Sequence, residues 1–294
     1  MPSRTLPVAV PLDLGATLRP LTLAWGRRER DGWWRPMRTP DGPATLRIAR
    51  RRSAVLATAW GPGAEWALSG LESIVGLHDP AEDFSTDHPV VGPLVRSRRG
   101  WRFGRTALVL DALVVAVVSQ KVAGKEAARS LRALTLRFSE AAPGPHARLR
   151  LPPRPEAMAD APYHAFHELG IEKRRADVLR ALARDADRLE RLAGLVPAEA
   201  ARALLRYRGV GPWTAAETTS VSHGDPDAVS VGDFHLKHVV AWHLTGSPRG
   251  TDEERLELLE PFRPHRGRVV RLLESAGGAP RFGPRMPLRE FRLS

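Results

Sequence analysis

Between Leu204-Leu205-Arg206-Tyr207-Arg208 and Thr214-Ala215 lies Gly209-Val210-Gly211-Pro212-Trp213, and Asp233 follows 22 residues after Gly211 in Val231-Gly232-Asp233-Phe234-His235-Leu236-Lys237. Two glycines one residue apart permit a turn with positive φ and let another backbone approach where no Cβ intervenes. Pro212 suits the first position of a helix, because the donor it lacks would have been an orphan there anyway. The remaining free N–H groups of such a helix N-terminus make a site for a phosphate oxygen. One carboxylate beyond a phosphate grip can stabilise developing positive charge or orient a water. Asp233 also falls where aspartate commonly caps a helix, and the two roles are compatible.

The elements that must hold these groups can be read around them. Ala198 to Tyr207 carries Ala and Leu at helical spacing behind Pro197, so a helix leads into the turn. A second helix starts at Pro212 and stops at His223-Gly224-Asp225-Pro226, where Gly is followed by Pro. Ala228 to Val231 is apolar and extended, which leaves Asp233 as the expected N-cap of a helix over Phe234 to Leu244.

Helix, Gly-x-Gly hairpin, helix, short link and Asp-capped helix together resemble the helix-hairpin-helix (HhH-GPD) DNA glycosylase superfamily, and within it the 3-methyladenine DNA glycosylase II, or AlkA, type. The resemblance runs from about Arg105 to Arg271, through Val117-Val118-Ser119-Gln120-Lys121-Val122, the hairpin, the Asp233 segment and Pro264-His265-Arg266-Gly267-Arg268. It implies an α+β N-terminal domain followed by an all-α glycosylase domain. Its partner would be double-stranded DNA with a damaged base flipped out of the stack. Residues 1–95 are expected to form the first domain and 96–294 the second, with the hairpin at 204–215.

The resemblance assigns roles residue by residue. Asp233 would be catalytic, and Arg208, Gly209, Val210, Gly211, Thr214, Gln120 and Lys121 would meet DNA. Trp213 stands where bifunctional glycosylase/lyases carry a lysine nucleophile. With Trp there the chain is expected to hydrolyse without lyase activity, Trp213 either walling a base pocket or packing in the core. Glu217 stands where the AlkA type often has an aromatic wall, so it is expected in the base pocket, trading stacking for charge, with a solvent-facing position as the alternative. Gln120 would lie beside the extruded nucleotide or at the surface. No cofactor is expected beyond a structural monovalent cation that hairpin carbonyls hold in this family.

The chemistry expected is base-excision hydrolysis of alkylated, cationic purines such as 3-methyladenine. Ordinary glycosidic bonds take two carboxyl groups, whereas a positively charged base leaves without an acid, so one carboxylate suffices. A noncatalytic DNA-binding protein with the same grip, or a glycosylase for bulky adducts, are the alternatives.

Composition agrees. The 294 residues carry a formal net charge of +12, with 43% hydrophobic and 27% charged residues. That fits a globular chain with a polyanionic partner. Only Lys121, Lys125, Lys173 and Lys237 are lysines among 45 basic residues, so the excess is arginine in an Ala- and Pro-rich chain, as GC-rich coding yields. The absence of Cys excludes disulfides, thiolate zinc sites and iron–sulfur clusters. His164, His167, His235, His238 and His243 show no metal-ligand spacing, and no metal is expected. Lys173-Arg174-Arg175 and Arg266-Gly267-Arg268 are phosphate contacts or solvated helix faces. The apolar run Thr106 to Val118 is too short to span a bilayer, and no signal-peptide layout is present. A prokaryotic cytoplasmic monomer, nucleoid-associated through DNA, is the expected state.

Before residue 95, Ala44 to Ile48 and Ala54 to Thr58 read as strands and Glu65 to Leu77 as a helix. From Thr106 helical spacing dominates, with breaks at Ala142 to Pro155 and Gly246 to Arg249. Leu113 to Val118 is β-branched enough for a strand, but the resemblance makes it a buried helix. Arg- and Pro-rich 281–294 reads as a loose tail.

Overall fold

The protein is described here as a computed structural model covering residues 1–22 and 24–280; the tail expected over 281–294 lies outside the described residues. Five antiparallel strands, β1 (Ser3–Pro7), β2 (Arg27–Glu29), β3 (Gly32–Thr39), β4 (Gly42–Arg51) and β5 (Ala54–Trp60), form one sheet in the order β1-β5-β4-β3-β2. Pro36 can sit inside β3 because β2 pairs only with Gly32 to Trp34, which leaves the backbone at Pro36 without a neighbour on that side. Helices α1 (Leu14–Thr22), α2 (Ala64–Ser69) and α3 (Leu71–Ile74) bury Leu18, Leu21, Leu68 and Leu71 against Met37, Leu46, Val55 and Ala57. The expected single helix over Glu65 to Leu77 is thus two, interrupted at Gly70, a poor helix former.

The remaining elements are helical: α4 (Val91–Ser97), α5 (Val109–Val118), α6 (Gly124–Phe138), α7 (Pro155–Asp160), α8 (Tyr163–His167), α9 (Lys173–Arg184), α10 (Ala186–Glu190), α11 (Pro197–Leu204), α12 (Pro212–Ser222), α13 (Leu236–Thr245), α14 (Asp252–Leu259) and α15 (Arg266–Ala276). Every residue of α5 except Val115 is buried. A helix apolar all round is stable only at the centre of a core, and here tertiary burial overrides β-branched propensity. Around it gather Leu134, Phe138, Phe166, Leu179, Leu204 and Ala215. A separate cluster joins Val240 of α13, Leu259 of α14 and Val269 and Leu273 of α15 to Phe84 and Val91. Among the described residues no helix is long and apolar enough to cross a membrane.

The sheet meets α5 through buried charges. Arg35 of β3 and Asp111 of α5 are both buried, and Glu190 of α10 accepts the Val109 and Leu110 N–H groups at 2.8 and 2.9 Å, satisfying the start of α5. Burial pushes the Asp111 carboxyl up to about 6 against the pull of Arg35 and Arg38. Burial, then the negative charge of Asp111, pushes Glu190 up to about 7.

Both groups hold a proton more tightly folded than unfolded, so the stability they add is present below about pH 4 and is lost as pH rises toward about 7. Asp111→Asn is expected to flatten that decline by about 3 kcal/mol, the equivalent of the rise of the Asp111 carboxyl to about 6. Urea unfolding at pH 4 to 8 reads it, and parallel curves for parent and variant would contradict it.

Candidate functional site

α11 ends at Leu204 and the chain turns through Tyr207 to Gly211, where Val210 N–H donates to the Tyr207 carbonyl at 3.0 Å. Gly209 has φ +90°, and a Cβ there would lie 2.2 Å from Val178 Cγ2 of α9. Gly211 differs from expectation. Its φ of −101° is ordinary extended backbone and nothing lies within 4 Å of a Cβ built there, so it is open space at the mouth of α12. The N–H groups of Gly211, Trp213 and Thr214 donate to no described residue, leaving the N-terminus of α12 free for an acceptor.

The sequence-expected contact residues divide accordingly. Arg208 and Lys121 are exposed, Lys121 at φ +54°. Val210 contributes little to a surface, since its N–H is used in the turn and its side chain lies in the helical core. Gln120 neither reaches outward nor lies loose at the surface. Its amide donates to the Gly209 carbonyl and to Thr214 Oγ1, both at 2.9 Å, and so ties the end of α5 to the hairpin. Thr214 is buried by this arrangement. The Tyr207, Gly209 and Gly211 carbonyls each already accept a hydrogen bond. Each of these oxygens keeps a second lone pair, so the hydrogen bonds leave the hairpin carbonyls compatible with a structural monovalent cation.

Asp233 lies after the Val229–Gly232 link. Its Oδ1 accepts the His235 and Leu236 N–H groups at 2.8 and 2.9 Å, the capping expected of it, although α13 begins at Leu236, two residues later than the sequence suggests. Its Oδ2 accepts the indole N–H of Trp213 at 3.1 Å. Three donors from two helices thus fix one carboxylate at the mouth of α12. Half-buried Trp213 is neither plain core nor plain wall; it is a donor to Asp233, a pairing that no local sequence signal reveals.

Glu217, one turn on from Trp213, is half-buried and accepts from the Ser230 hydroxyl, which rules against the solvent-facing alternative. Burial holds its carboxyl above the ordinary glutamate range. Ser230 and the positive charge of Arg271 oppose that shift, and the negative charges of Asp233 and Glu274 reinforce it. A cavity of 410 Å³ lined by Phe84, Trp101, Phe103, Arg268 and Arg271 shares Arg271 with these surroundings, but neither Trp213 nor Glu217 lines it.

The two charge runs divide between partnered and exposed residues. Arg175 is buried and donates to the Val118 carbonyl at 2.6 Å, while Lys173 pairs with Asp177 at 2.7 Å. Arg266 pairs with Asp227 at 2.7 Å and buried Arg268 donates to Asp79. Arg175, Arg266 and Arg268 are thus committed to protein partners, whereas Lys173 and Arg174 remain exposed on α9. Among the described residues no group of three or more His, Cys, Asp or Glu is arranged to hold a metal ion.

Comparison with known proteins bears on this geometry. The model of the HhH-GPD superfamily of base excision DNA repair proteins matches residues 114–264, which contain the hairpin, Trp213 and Asp233. YfjP of Bacillus subtilis (strain 168), whose name assigns it provisionally to the DNA-3-methyladenine glycosylases, is 24% identical over 117 residues, 38% of this chain. That match spans 41% of the relative's length. The 3-methyladenine DNA-glycosylase from Archaeoglobus fulgidus superposes with a TM-score of 0.75 at 18% identity, covering 92% of this chain and 96% of that one. The Clostridium acetobutylicum 8-oxoguanine glycosylase/lyase in its apo form gives 0.73 at 15% identity, covering 93% and 96%. At such identities the superpositions establish the shared fold.

The two hairpin glycines are expected to respond differently to alanine. Gly209→Ala forces a Cβ into left-handed backbone and into Val178, costing about 1–3 kcal/mol, whereas Gly211→Ala changes stability by less than about 0.5 kcal/mol. Denaturant midpoints distinguish them, and equal losses would contradict the assigned backbone.

Proposed function

Because the chain belongs to the HhH-GPD superfamily of base excision DNA repair proteins, we propose that it is a monofunctional DNA glycosylase that releases alkylated, cationic purines such as 3-methyladenine from duplex DNA. The observation that carries this reading is the single carboxylate of Asp233, held by three donors, with an indole rather than an amine beside it.

Duplex DNA would meet the free amides at the start of α12, with Arg208 and Lys121 adding charge to the phosphate contact. These contacts carry no sequence information, so they would position any duplex. The damaged nucleotide would then be turned out toward Asp233. As the C1′–N bond lengthens, its electron pair goes to the base, which leaves neutral because it began as a cation. Positive charge appears on the deoxyribose, where a fixed carboxylate is already oriented and needs no reorganisation. Water adds at C1′ and gives up a proton, for which the free lone pairs of Asp233 Oδ2 are the nearby acceptor. The products are free base and an intact strand with an abasic site. Trp213 has no amine to form a Schiff base, so strand cleavage does not follow.

Glu217 takes a revised part. Its carboxyl accepts the Ser230 hydroxyl and faces the positive charge of Arg271, so it is a group committed to protein partners rather than a bare negative charge aimed at the base. Preference for cationic bases therefore rests on their quality as leaving groups.

Two outcomes are expected. Asp233→Asn should lower the single-turnover rate of 3-methyladenine release by about 100-fold or more while duplex affinity stays within about threefold. The parent should leave strands unnicked and form no borohydride-trapped adduct. Near-parental rates in the variant, or a trapped adduct dependent on one of the four lysines, would refute the assignment. Glu217→Gln should change 3-methyladenine and hypoxanthine release by the same factor. A loss confined to the cationic base would instead make Glu217 its electrostatic partner.

A further inference from the structure

Arg255 of α14 has a side chain with no solvent exposure. Its Nη2 lies 2.7 Å from Asp252 Oδ1 and donates to the Ser230 carbonyl at 3.0 Å. The other oxygen of that carboxylate, Asp252 Oδ2, accepts the Gly232 N–H at 3.1 Å. One ion pair on the first turn of α14 therefore grips the link at Ser230 and at Gly232, the residues on either side of Val231 that lead into Asp233. The platform itself is secured by a capping box in which Thr251 Oγ1 accepts the Glu254 N–H at 3.1 Å and Glu254 returns a bond to the Thr251 N–H.

This arrangement is poorly suited to stability alone. Nε and Nη1 of Arg255 are buried without a hydrogen-bond partner, which costs free energy that an apolar side chain of similar volume would not incur. The link it holds is irregular, with Gly232 at φ +92°, and its own backbone bonds are the short-range ones from Val231 N–H to the Val229 carbonyl and from Asp233 N–H to the Ser230 carbonyl, so its course depends on what grips it from outside. A displacement of about 1 Å at a reacting group is enough to cost roughly 100-fold in rate. Arg255 also faces the negative charges of both Asp252 and Asp233.

We propose that Arg255 and Asp252 are the positioning pair for Asp233, holding its backbone from behind while Trp213 and the start of α13 hold its side chain. The proposal rests on the reading of Asp233 as the group that acts on the sugar. Neither residue of the pair touches the substrate.

The test uses Arg255→Met, Arg255→Lys and Asp252→Ala in the full chain. Arg255→Met should slow single-turnover excision by about 10- to 100-fold with duplex affinity within about threefold, read well below an unfolding midpoint that the loss of one partner of a buried pair lowers. Arg255→Lys should recover part of the rate. In an Asp233→Asn background, Arg255→Met should slow nothing further. Parental excision by Arg255→Met, or the same slowing with and without Asp233, overturns the proposal. If Arg255→Met does not fold, Asp252→Ala is judged by the same criteria. A second readout is independent of activity. The indole N–H resonance of Trp213, assigned by its loss in Trp213→Phe, should move in Arg255→Met in the direction it takes in Asp233→Asn. An unmoved resonance overturns the positioning role even where the protein excises nothing, whereas a shifted resonance in an inactive parent overturns only the glycosylase reading.

Discussion

A carboxylate at the start of a helix is readily absorbed by the helix itself, because the free N–H groups there are strong donors. Asp233 meets this constraint by dividing its oxygens: Oδ1 serves the His235 and Leu236 amides, and Oδ2 takes one indole N–H from Trp213. The first pair fixes the side chain without consuming the second oxygen, which keeps lone pairs for a reacting partner. Much of the surrounding structure can be understood as holding α12 and α13 at the separation this sharing requires. Buried α5 packs against α12, Gln120 ties the end of α5 to the hairpin, and Arg255 with Asp252 grips the link from the other side.

The same division explains why one carboxylate can be enough. On the proposed reading, a base that is already cationic takes the bond's electrons and leaves neutral without a proton donor, so the protein needs charge only on the sugar side, and that charge is most useful when already oriented. The hairpin contributes in a different way. On the same reading its open amides would hold a phosphate irrespective of sequence, which would let affinity and chemistry be carried by separate groups on neighbouring helices.

How much of this was legible in the chain depended on the range of each interaction. Hairpin, Pro212 and Asp233 cap follow from local backbone rules and were recognisable from type and spacing, with helix boundaries off by up to three residues. The partner of Trp213, the inward turn of Gln120 and the burial of Arg175, Arg255 and Arg268 are long-range, and a charged residue on a helix carries no local mark of being drawn into the interior. Strand β3 escaped for a related reason. Gly32–Thr39 contains Trp33-Trp34-Arg35-Pro36, and burial of residues on both of its faces removes the alternation by which a half-exposed strand is recognised. Conversely, α5 looked strand-like by composition and is helical because it is enclosed on all sides.

The claim on which the account turns is that Asp233 faces positive charge forming on the deoxyribose. Duplexes carrying a cationic pyrrolidine abasic analogue or a neutral tetrahydrofuran analogue differ mainly in that charge, and their affinities can be compared in the parent and in Asp233→Asn. The account predicts that the parent binds the cationic analogue tighter by about 10-fold or more and that the preference disappears in the variant. Equal affinities in the parent, or a preference that survives loss of the carboxylate, would contradict it.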